Sequence, residues 1–130
     1  MNDKSIYRLS PKKSRTTYRP HKIVYNAFSR PSSLQMSINS SANSVAVYMF
    51  RDVEPTKKGA RLRQAISAMM ANSDMLRALL ADALGHAAVK GAEERLGSGW
   101  QVEQLDIQVP DLSRGQNRVS GVARLKRFIS

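Results

Sequence analysis

The chain has 130 residues and carries 21 Lys and Arg against 10 Asp and Glu, a formal net charge of +11. That length supports one domain, and that charge needs a polyanion or a neutralising partner at the surface, nucleic acid first and an anionic membrane second. The absence of cysteine excludes disulfides, thiolate catalysis and cysteine zinc sites.

Residues 1–33 hold Lys4, Arg8, Lys12, Lys13, Arg15, Arg19, Lys22 and Arg30 against Asp3 alone. Pro11, Pro20 and Pro31 forbid one continuous helix, so the stretch is expected to be an extended or disordered basic arm. Tyr7, Tyr18, Tyr25 and Phe28 are interleaved with its cations, a pattern that pairs phosphates with charge and stacks bases on rings. Ile23–Tyr25 could also form a short added strand.

Residues 34–130 are expected to form the domain. Leu34, Met36 and Ile38 alternate with polar residues and predict a half-buried strand, followed by a turn over Asn39–Asn43. Ser44–Arg51 has two apolar faces, Val45, Val47 and Met49 on one and Ala46, Tyr48 and Phe50 on the other. Only one face can lie on helices, so the other offers Tyr48 and Phe50 to solvent, to the arm or to a ligand.

Thr56–Gly97 is the longest apolar region and must form the back of the core. Leu62, Ile66, Met69 and Met70 share one helical stripe, and Asn72-Ser73-Asp74 breaks the pattern and caps a second helix. Leu76, Leu79, Leu80, Ala83, Leu84, Ala87 and Gly91 form the broad face of that second helix, which ends at Gly97. Its Ala and Gly content fits core packing against a sheet, with a helix-to-helix dimer contact as the alternative. Lys57, Lys58, Arg61 and Arg63 gather at the first helix start, where the dipole also favours an anion.

A strand over Trp100–Val109 puts Leu105, Ile107 and Val109 on one face, and Pro110 ends it. The last strand, Arg118–Ile129, turns Val119, Ala123, Leu125 and Ile129 one way and Val122, Arg124, Lys126 and Phe128 the other, with a bulge expected at Gly121.

The expected fold class is α+β: an antiparallel sheet of about four strands in the order β-β-α-α-β-β, a central helical pair on one face, and the basic amino-terminal arm. That order is not the one found in RRM, KH or double-stranded RNA-binding domains.

Charge partition points to function more than any motif does. The arm (Lys12, Lys13, Arg15, Arg19, Lys22), the helix start (Lys57, Lys58, Arg61, Arg63) and the last strand (Arg118, Arg124, Lys126, Arg127) are expected to form one basic surface, with Tyr48, Phe50 and Phe128 stacking on bases of RNA or DNA.

Catalysis finds little support. His21 lies in the arm, His86 follows Asp82 by one turn, and two histidines without cysteine make no metal-ligand set. No cofactor is expected. Gly97-Ser98-Gly99 is too short for a phosphate loop and reads as a turn.

The alternative is an assembly subunit, viral or other, whose arm and apolar faces contact neighbouring copies, as a homo-oligomer or within a larger assembly. No apolar run approaches the roughly 20 residues that cross a bilayer and no signal-peptide core follows Met1, so a cytoplasmic or virion-associated location without membrane insertion is expected.

Overall fold

The structure, a computed structural model, describes residues 20–70 and 73–127. Its elements are α1 (Pro20–Phe28), β1 (Gln35–Ser41), β2 (Ser44–Asp52), α2 (Ala60–Met70), α3 (Ser73–Leu96), β3 (Trp100–Gln108) and β4 (Arg118–Arg127). Short 3₁₀ turns lie at Pro31–Ser33, Lys57–Gly59 and Leu112–Arg114. The class is α+β with one four-stranded antiparallel sheet, as the sequence predicts, but its strands lie in the order β1-β2-β4-β3.

Strand burial explains that order. Along β4, Val119, Gly121, Ala123 and Leu125 are all buried, a continuous row that suits a central strand. β3 exposes most of its residues between Trp100 and Leu105 and takes an edge instead.

The element order is also longer at its start than expected. Residues 20–28 form a helix, neither an extended arm nor a strand at Ile23–Tyr25. Pro20 suits a first helical position because its fixed φ and missing N–H cost nothing there. Val24 and Phe28, one turn apart, are then completely buried against α2 and α3. The extended-arm expectation therefore fails for residues 20–33, and residues 1–19 lie outside the described part.

One side of the sheet carries the core. Val45, Val47 and Met49 of β2 and Val119, Ala123 and Leu125 of β4 meet Leu62 and Ile66 of α2 and Leu76, Leu80 and Leu84 of α3. The side chains of Met69 and Met70 lie outside the described residues.

The small residues of α3 lie in the packed interior between the helices and the sheet. Ala83, Ala87, Ala88 and Ala92 are fully buried, and a Cβ at Gly91 would run into the Sδ of Met36. Gly91 thus faces β1, which is the core-packing reading. The helix ends where predicted: Gly97 adopts φ +86° and its N–H returns to the Glu93 carbonyl at 3.1 Å, a left-handed termination that glycine adopts without steric cost.

Two local expectations change. The β1–β2 turn is only Ala42–Asn43, with Ser41 already paired to Ser44, so β1 runs three residues into the expected turn. The bulge lies in β3 between Val102 and Gln104, while Gly121 pairs regularly with Met49 and Ile107. Gly121 is small for a different reason: a Cβ there would stand 3.0 Å from Leu84 Cδ1.

Candidate nucleic-acid interface

Among the described residues, no helix lies on the second side of the sheet. Its register sets Ser37, Tyr48, Val122 and Asp106 in one row across four strands, flanked by the rows Asn39–Ala46–Arg124–Gln104 and Gln35–Phe50–Ser120–Gln108. Tyr48 stands near the centre among small or short neighbours, and the residue remains 44% exposed. Same-face residues on a strand are roughly 6.6 Å apart, so Tyr48 and Phe50 form two adjacent stacking positions.

Phe50 is half-buried because Arg118 lies over it, with the guanidinium carbon 3.9 Å from the ring centroid. The same guanidinium donates to both Asp52 oxygens, Nε at 2.8 Å and Nη2 at 3.1 Å. That bidentate hydrogen bond holds the Asp52 carboxyl below the usual carboxylate range and raises the Arg118 guanidinium. Arg118 is therefore an oriented but charge-compensated group.

Arg124 and Lys126 follow on the same strand and face, both exposed. Beside Arg124 lies a hollow of about 340 Å³ lined by Asn39, Ser41, Ser44, Ala46 and Glu103. Among the described residues, no ion pair neutralises either cation.

The helix-start cluster divides. Lys57, Lys58 and Arg61 are exposed, whereas Arg63 is half-buried and donates to Asn117 Oδ1 at 3.3 Å. Asn117 directly precedes β4, and its carbonyl also accepts from Val53 at 2.8 Å. Arg63 thus fastens the start of α2 beside the Arg118 end of the open face.

Two predicted site residues belong elsewhere. Arg127 alternates to the helix side of β4, stacks on Trp100 and donates to the Leu96 carbonyl. It caps the carboxyl end of α3, where a cation meets the negative end of the dipole. Lys22 is exposed on α1, within the helical layer and away from the open face. Lys12, Lys13, Arg15, Arg19 and Phe128 lie outside the described residues.

Arg51, which the charge pattern does not single out, anchors the fold, donating to the Ala27 carbonyl at 3.0 Å near the end of α1. The period that marks Val45, Val47 and Met49 as inward also selects Arg51. His21 is likewise structured: its Nε2 lies 2.8 Å from Met75 Sδ, joining α1 to α3. Among the described residues, no three His, Asp or Glu side chains are grouped to hold a metal, and no helix is long and apolar enough to cross a membrane.

Comparison with protein-family models, curated proteins and solved structures gives no match to this chain.

Proposed function

We propose that the protein is a non-enzymatic nucleic-acid-binding subunit that takes single-stranded RNA or DNA across the sheet face opposite the described helices, within a larger nucleoprotein assembly of a cytoplasm or a virion. The observation that carries this reading is Tyr48, 44% exposed at the centre of that face, with Phe50 in the next row and Arg124 in the row before it. An exposed ring between cations suits a ligand that offers both π-faces and phosphates. A single strand fits better than a duplex, because its bases are free to stack on a ring.

Five exposed cations supply the electrostatic part: Arg124 and Lys126 on the sheet, and Lys57, Lys58 and Arg61 beside its Arg118 end. If all five meet phosphates, the slope of log affinity against log salt is about −3.5 for a single strand. A salt titration with a labelled oligouridylate or oligothymidylate tests this. The double variant Arg124→Glu/Lys126→Glu should flatten the slope by at least about 1.4. An unchanged slope in that variant would remove the sheet face from the interface.

A further inference from the structure

The two edges of the sheet are built differently. β3 is protected in the usual ways, with a bulge between Val102 and Gln104 and exposed carboxylates at Glu103 and Asp106. β1 has neither. Its seven residues, Gln-Met-Ser-Ile-Asn-Ser-Ser, contain no charge and no proline, and all seven keep regular register with β2. Among the described residues, no strand pairs with its outer edge.

Beside that edge runs a cleft of about 630 Å³ between β1 and the last turns of α3. Met36 and Ile38, both half-buried, form its apolar wall, and Gly91 lets Met36 lie against the helix. Its rim is cationic. Arg30, Lys90 and Arg95 are all exposed there, with Glu94 the one carboxylate of the lining among the described residues.

A row of unpaired backbone donors and acceptors is matched by another peptide strand, which excludes nucleic acid as the ligand that completes this edge. Charge then decides which peptide. A second copy joined β1 to β1 about a two-fold axis would bring both rims together, doubling three cations against one carboxylate, and would repel itself. An acidic strand would be attracted.

We propose that an extended acidic segment of a partner protein adds to β1 as a fifth strand, its carboxylates meeting Arg30, Lys90 and Arg95 and its alternate apolar side chains entering the cleft over Met36 and Ile38. The contact surface is an edge, separate from the open face that carries Tyr48, so both can be occupied at once. It stands independently of the nucleic-acid reading.

The test is to pan a displayed library of random 12-residue peptides against the immobilised full chain. Binding of the winners is then compared with the variant Lys90→Glu/Arg95→Glu, and amide exchange over residues 35–41 is read with and without the best peptide. The expected result is enrichment of Asp and Glu alternating with apolar residues. Binding should fall at least tenfold in the variant, and exchange of the β1 amides should slow at least tenfold on peptide addition. Both substituted residues are exposed, so the variant should stay folded, its melt lowered only by the carboxylates placed near the negative end of α3. The proposal is overturned by selection of no binder, by winners lacking acidic residues, or by equal binding to the variant. Protection of the β1 amides in the free protein together with a dimeric sedimentation coefficient would also overturn it, since a second copy would then hold the edge.

Discussion

Arg127 and Trp100 are register partners at the end of the sheet, and the guanidinium carbon of Arg127 lies 4.5 Å from the indole centroid. From that position the guanidinium reaches the Leu96 carbonyl, so one side chain joins β4, β3 and the end of α3. Replacing Arg127 by Ala should cost about 2 kcal/mol in urea denaturation, from the lost cation–π contact and the lost charged hydrogen bond. The salt slope of oligonucleotide binding should stay unchanged. A flattened slope would return Arg127 to the interface.

Helix α1 alters how the basic amino terminus must be tested. Val24 and Phe28 are both 0% exposed in the core, so removing residues 1–33 should unfold the protein whatever its charges do. Phe28→Ala alone should cost about 3–5 kcal/mol. Removing residues 1–19 keeps every described core side chain and should leave a cooperative melt, while lowering oligonucleotide affinity through the loss of six cations. Equal affinity for the truncated and full chains would exclude residues 1–19 from binding.

Gly59 is the glycine most intolerant of a side chain. A Cβ there would run into the backbone carbonyl of Glu54, which has little room to move. Gly59→Ala should therefore cost about 1–3 kcal/mol, measured by chemical denaturation, as over-packing does elsewhere. Gly91→Ala should cost less, because the obstructing Met36 is a flexible side chain.

Asp52 gives the protein an acid-sensitive contact. Its carboxyl is held below the ordinary value by the hydrogen bond from Arg118, so the contribution is present above the unfolded pKa, about 3.9, and is lost as pH falls through the lowered folded value. Melting of the parent and of Asp52→Asn, followed from pH 7 to pH 2, should differ by a constant amount at neutral pH and converge at the acid end. The same variant frees the Arg118 charge and should bind oligonucleotide more tightly at neutral pH.

Period-two alternation made β2 legible: one apolar set must pack and the other must not, and Tyr48 and Phe50 do fall on the open face. The helical stripe through Leu76, Leu80 and Leu84 and the stop at Gly97 were legible for the same reason, since local period and local conformation determine them. Helix α1 was not. Its basic, proline-flanked composition resembles a tail, and only the α2–α3 surface that buries Val24 and Phe28 makes the helix worthwhile. Strand order and the capping role of Arg127 were likewise hidden, because both depend on which elements meet across the fold. The compensation of Arg118 was hidden for the same reason, its partner Asp52 lying across the β2–β4 pair.

Tyr48 decides the central claim. Titration of a labelled oligouridylate into the parent and Tyr48→Ala, beside thermal melts of both, should show affinity reduced by about 1–3 kcal/mol, the loss of one stacked base, with the melt unchanged because the residue is 44% exposed. Equal affinity for the two proteins would contradict a stacking platform on this face. A collapsed melt would show that Tyr48 supports the fold.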